Sequence, residues 1–115
     1  MMEIEIVEFY PLNDYKCKYG NRLGYLHVYL IGADLDIAGV GVTKTKSGYF
    51  ITMPQGCGTH HKTKEKIRFP IVRFCNPDRQ DALIAVIKEQ AGPFIENWAK
   101  EHPEAKALHR RLKTK

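Results

Sequence analysis

Between Cys57 and Arg68 the chain gathers its densest set of side chains capable of chemistry: Cys57, His60 and His61, then Lys62, Lys64, Lys66 and Arg68. A thiol and two imidazoles within five residues raise metal binding first. A structural zinc site needs a closed set of four such ligands. No second Cys/His pair completes one, and adjacent histidines on an extended backbone point to opposite sides. A Cys57/His60 nucleophile pair lacks the third group that would orient the base. A phosphate-binding Walker loop needs glycine directly before its lysine and a helix after it, whereas His61 precedes Lys62 and an apolar, strand-like run follows. Cys75 stands where a helix begins, a position that lowers a thiol pKa, but reads as a buried, inert cysteine. Asp34 and Asp36 share one face of a strand and read as a solvated turn, not as an acid–base dyad. These residues imply no catalytic centre, no metal and no cofactor.

What remains of the segment is charge. Residues 1–42 carry three bases against six acids, and residues 43–73 carry seven bases against Glu65 alone. A second basic cluster, Arg110, Arg111 and Lys113, ends the chain in "HRRLKTK". Two basic zones on a domain of net charge +5 point to an anionic partner, DNA or RNA, with solvated lysines as the plain alternative. Tyr25, Tyr29, Tyr49 and Phe50 lie on neighbouring strands and offer either a stacking surface for bases or ordinary packing. A competing use of the scaffold is a protein-binding module, an inhibitor or adaptor anchored by Tyr49, Phe94 and Trp98.

The elements that must carry these groups follow from periodicity. "MEIEIVEFYPL" alternates at Ile4 and Ile6, then slips phase at Val7 and Phe9, which predicts a strand with a bulge. "RLGYLHVYLI" has two semi-apolar faces and predicts a central strand covered on both sides. "LDIAGVGVT" changes phase beside Gly39, a bend or bulge, and Gly48 in the next connection suits a positive φ angle. "YFITM" is a buried strand ended by Pro54. A loop from Gln55 to about Glu65 leads to "IRFPIVRF", where Pro70 requires an edge or a bulge. From Asn76 the period turns helical: Asn76 caps, Pro77 fits the first position and Asp78 suits the dipole. Leu83, Val86, Ile87, Phe94 and Trp98 form one stripe. Gly92-Pro93 predicts a break or kink, and His102-Pro103 a second break. "PEAKALHRRLKTK" holds a last short helix with Ala105, Leu108 and Leu112 on one side, stable only if it docks.

The fold expected is therefore α+β: an antiparallel, meander-type sheet of about five strands over residues 1–75, a helix over 76–101 packed on it, and a basic helix or tail over 103–115. One domain accommodates the length. No run is long enough to span a bilayer, the acidic "MMEIEIVEF" start is unlike a secretory signal, and the odd set of Cys17, Cys57 and Cys75 suits reduced thiols. A cytoplasmic protein with no membrane partner is the expectation.

Taken together, residues 22–90 resemble the SpoVG (stage V sporulation protein G) family of small bacterial nucleic-acid-binding regulators. The resemblance is carried by Gly48, Phe50, Ile51, Met53 and Pro54, then Pro70 and Ile71, then the helix bearing Leu83, Val86 and Ile87. The chain departs from that pattern at Gly41, where the family commonly has a basic residue. The resemblance implies a sheet that pairs with its copy in a homodimer, and basic residues near the helix that contact nucleic acid.

Overall fold

A computed structural model describes residues 2–12 and 22–113. The protein is α+β. Strands β1 (Ile4–Pro11), β2 (Arg22–Leu30), β3 (Leu35–Thr45) and β4 (Gly48–Thr52) form one antiparallel sheet in the order β1-β2-β3-β4. β5 (Gln55–Thr59) and β6 (Lys66–Pro70) form a separate antiparallel hairpin, and helices α1 (Pro77–Glu101) and α2 (Lys106–Lys113) follow.

The phase slips read from the sequence are bulges. β1 loses register against β2 between Ile6 and Glu8. β2 loses register against β3 between Leu26 and Val28, opposite the segment where Gly39 takes a φ of 81°. Gly48 turns the β3–β4 hairpin with a φ of 137°. A third bulge, between Arg22 and Gly24, keeps Arg22 and Tyr25 on one face of β2.

One face of the sheet buries Ile4, Ile6, Phe9, Leu26, Val28, Ile37, Val40, Val42 and Ile51. Helix α1 covers it with Leu83, Ile87, Ala91, Ile95 and Ala99, all buried. These five recur every four residues, so one helical stripe meets one pleated face. Asn76 caps α1 by accepting a hydrogen bond from the Asp78 backbone N–H at 2.9 Å, which satisfies one of the orphan donors of the first turn.

Four expectations need correction. The helix does not break at Gly92-Pro93; α1 runs through it. Buried residues on both sides, Ile87 and Ala91 before it and Ile95 and Ala99 after it, hold the helix to the sheet and outweigh the lost N–H. Gly92 also lets the Tyr49 ring lie against the helix backbone, since a β carbon there would stand 2.8 Å from the ring. Among the described residues β2 is covered on one face only, leaving Tyr25 exposed. β4 is an edge strand with Phe50 60% exposed, so it is not buried throughout. Cys75 is exposed. The second break is where the sequence puts it: His102 ends α1, and α2 then docks through buried Leu108 and Arg111.

Candidate functional site

The segment from Gln55 to Pro70 is a two-stranded arm, not a loop flanked by one strand. Gln55 pairs with Pro70, Cys57 with Arg68 and Thr59 with Lys66. The ladder continues one step further where the Ile71 N–H donates to the Pro54 carbonyl at 3.1 Å. Every residue from Thr59 to Phe69 is exposed, and neither strand packs extensively on another element. The arm has two unlike faces, because strand side chains alternate. One carries Gln55, Cys57, Thr59, Lys66 and Arg68. The other carries Ile67 and Phe69 over Gly56 and Gly58, and a β carbon at Gly56 would occupy the space of the Phe69 ring. Glycine is required there because the aromatic ring lies on the backbone.

His60 organises the tip. Its Nδ1 accepts from the backbone N–H groups of Lys62 and Thr63 at 3.2 and 3.3 Å. The Lys64 N–H reaches the His60 carbonyl at 2.8 Å, and Lys64 takes a left-handed φ of 62°. The rings of His60 and His61 do not diverge: they stack, 5.3 Å between centroids and 9° apart in plane. His60 thus shapes a turn in which Lys62 and Lys64 are exposed. Among the described residues no group of three or more His, Cys, Asp or Glu is placed to hold a metal ion.

The polar face of the arm opens onto the sheet. A groove of about 420 Å³ is lined by Arg22, Tyr25 and Thr52 from the sheet and by Gln55, Cys57 and Arg68 from the arm. On this uncovered sheet face, cross-strand rows are set by the register. Tyr10, Tyr25, Gly41 and Thr52 form one row, and Arg22, Thr43 and Phe50 the next. The Arg22 guanidinium lies over Gly41, where a β carbon would collide with it, and stands 5.7 Å from the Tyr25 ring centroid. Tyr10 (56% exposed) is a member of this surface that periodicity alone did not single out. The signal for it was the bulge at Val7, which returns Tyr10 to the face opposite Phe9.

The far end of the same face is acidic. Glu5, Tyr29 and Asp36 share a row, and the Tyr29 hydroxyl donates to Asp34 Oδ1 at 2.7 Å. That hydrogen bond leads the causes that raise the Tyr29 pKa above its ordinary value, followed by burial and by the charges of Asp36 and Glu5. His27 Nε2 lies 3.4 Å from Asp36 Oδ1. Charge on the open face is therefore polarised, from arginine beside the arm to carboxylates at the β2–β3 turn.

Other expected site residues lie elsewhere. Tyr49 faces α1, where its hydroxyl donates to Glu96 Oε1 at 3.0 Å. Burial and then this hydrogen bond push its pKa up to about 12. Trp98 packs edge-on against Phe9 at 5.4 Å and stacks on His102 at 3.7 Å. Phe94 is half-buried against the core. Arg111 is 7% exposed and donates to the Leu12 carbonyl at 3.2 Å, so it ties α2 to the end of β1. Arg110 and Lys113 are exposed on α2. Cys17 lies outside the described residues. The arm thus carries Lys62 and Lys64 in its tip turn and Lys66 and Arg68 on one strand face, and Arg68 shares the groove with Arg22 and Tyr25, while Arg111 serves the fold. No protein-family model, curated protein or solved structure matches this chain.

Proposed function

We propose that the chain is a non-enzymatic nucleic-acid-binding regulatory protein of the kind that residues 22–90 resemble, the SpoVG family, and that the arm is its phosphate-contacting element. The observation that carries this reading is the basic arm, whose tip turn holds Lys62 and Lys64 and whose polar strand face holds Lys66 and Arg68. Lys62, Lys64, Lys66 and Arg68 stand exposed within seven residues, opposed in sequence by Glu65 alone, and the face continues into a groove lined by Arg22. Exposed cations on a narrow ribbon lose little solvation until phosphate arrives, and each contact releases counterions. Arg110 and Lys113 supply a second, separate basic zone on α2.

Assembly as a homodimer is part of the proposal. Ile67, Phe69 (47% exposed) and Ile71 leave the other face of the arm apolar, and β1 and β4 are both sheet edges. A second copy would cover such surface. Light scattering that reports a monomer at high micromolar concentration would refute this part.

The rival reading is a protein-binding inhibitor or adaptor, whose expected anchors Tyr49, Phe94 and Trp98 are half-buried against the core. The discriminating experiment reverses the arm's charge with Lys62→Glu, Lys64→Glu and Lys66→Glu together. All three side chains are exposed, so folding is expected to survive. Binding to unrelated nucleic-acid sequences should weaken alike, and the slope of log affinity against log salt should flatten by roughly two units. Unchanged affinity and slope would remove the arm from the site.

A further inference from the structure

The open sheet face beside the arm has a feature that phosphate binding alone does not use. Tyr10, Tyr25 and Phe50 lie uncovered on it, in adjacent cross-strand rows, next to Arg22 and the groove. Tyr10 and Tyr25 are direct cross-strand partners, so their β carbons stand about 5 Å apart. Tyr25 and Phe50 are two strands and one row apart, which strand geometry sets at roughly 12 Å. A single base cannot touch both. Two unstacked bases of one extended strand can.

We infer that the ligand of this surface is single-stranded nucleic acid, with bases stacked on Tyr25 and Phe50 and its phosphates held by Arg22, Arg68 and the arm lysines. The inference rests on the nucleic-acid reading above and narrows it to one class of strand. Bases in a duplex have both faces occupied by their neighbours, so only a single strand offers a free π-face to an aromatic side chain. The Arg22 guanidinium lies over the Tyr25 ring, 5.7 Å from its centroid, and so places a cation on the platform itself, within reach of the phosphate of a base stacked there.

Charge fixes the extent of the site. Glu5, Asp34 and Asp36 occupy the far end of the same face, so a polyanion is attracted to the Arg22 end and repelled from the Tyr29 end. Tyr29, hydrogen-bonded to Asp34, therefore falls outside the platform although it shares the face with Tyr25. The competing geometry is a duplex with the two-stranded arm in its major groove, which such a ribbon fits. That mode leaves Tyr25 and Phe50 unused.

The test measures fluorescence anisotropy of the full chain with a labelled mixed-sequence oligonucleotide, single-stranded and as its duplex, at fixed salt. Variants are Tyr25→Leu and Phe50→Leu, which keep apolar bulk but lack a ring, and Tyr25→Phe, which keeps the ring. Thermal melting checks that each is folded. The expected result is binding to the single strand at least tenfold tighter than to the duplex. Each leucine variant should lose about tenfold, the effect of one base stack, with the salt slope unchanged, and Tyr25→Phe should bind like the wild type. Equal or tighter duplex binding, or leucine variants that bind as well as the wild type while the arm-lysine reversal weakens binding, would overturn the stacking and leave the phosphate reading standing. Binding to neither form would overturn both.

Discussion

Replacing Arg111 with alanine tests how α2 is held against the end of β1. In "HRRLKTK" Arg111 is one of three clustered cations; in the structure it is 7% exposed, with Nη1 3.2 Å from the Leu12 carbonyl. Replacing it with alanine removes a hydrogen bond from a charged donor, worth about 1.5–3 kcal/mol. It also removes a buried stem of methylenes, worth roughly 2 kcal/mol. Recovered solvation of the guanidinium offsets part of that, because burying such an ion costs several kcal/mol in a protein. A net loss of about 2–3 kcal/mol results. For a domain of this size that moves a urea midpoint by about 1–2 M. Trp98, the single tryptophan, is packed between Phe9 and His102 and gives the fluorescence signal. Arg68→Ala, on the exposed arm, should leave the midpoint within about 0.5 kcal/mol of the wild type. The reasoning is refuted if Arg111→Ala leaves the midpoint in place and instead flattens the salt dependence of nucleic-acid binding by about one unit. In that case Arg111 contacts phosphate and α2 does not dock through it.

Leu83→Ala and Ile87→Ala should each cost about 2–5 kcal/mol, since both side chains are almost wholly buried between α1 and the sheet; midpoints that barely move would place the stripe in solvent. Tyr49 has its pKa raised from 10.0 to about 12, so folding favours the neutral phenol. The stability it contributes is full below pH 10 and is lost as pH climbs toward 12. Near-ultraviolet titration should show a late-ionising tyrosine that Tyr49→Phe removes, at a stability cost of about 1 kcal/mol near neutral pH for the hydrogen bond to Glu96. A titration whose late end Tyr49→Phe leaves unchanged would contradict the packing of Tyr49 on α1.

The parts of the fold written in the sequence are those where one local signal dominates. The slip from Ile6 to Phe9 forces a bulge, because a strand can return its apolar residues to one face only by inserting a residue. Asn76-Pro77-Asp78 marks a helix start by backbone chemistry alone. β5 was not legible, because "QGCGT" has no apolar alternation. Its two glycines look like a loop until β6 lies beside them and Phe69 covers Gly56. Arg111 follows the same logic: its burial depends on where α2 lands against Leu12, a contact nearly a hundred residues distant in sequence. The one local hint is its position three residues after buried Leu108, on the same side of the helix. Helix continuity through Pro93 is likewise a tertiary outcome, imposed by the buried residues on either side.

Within the candidate site, the cations of the arm were legible as a charge run, whereas their geometry was not. Composition could not show that Lys66 and Arg68 share a face with Cys57 while Phe69 faces away. Nor could it divide the aromatics: Tyr25 and Phe50 on the open face, Tyr49 under α1, and Tyr29 among carboxylates. That division follows from register, and register from three bulges.

The salt dependence of wild-type binding to a mixed-sequence single-stranded oligonucleotide tests the central claim most directly. If Arg22, Lys62, Lys64, Lys66 and Arg68 each neutralise a phosphate, log affinity should fall linearly against log salt with a slope of about −3.5, roughly 0.7 per contact on a single strand. A slope near zero, or no binding at about 50 mM salt, where such contacts are strongest, would contradict the account.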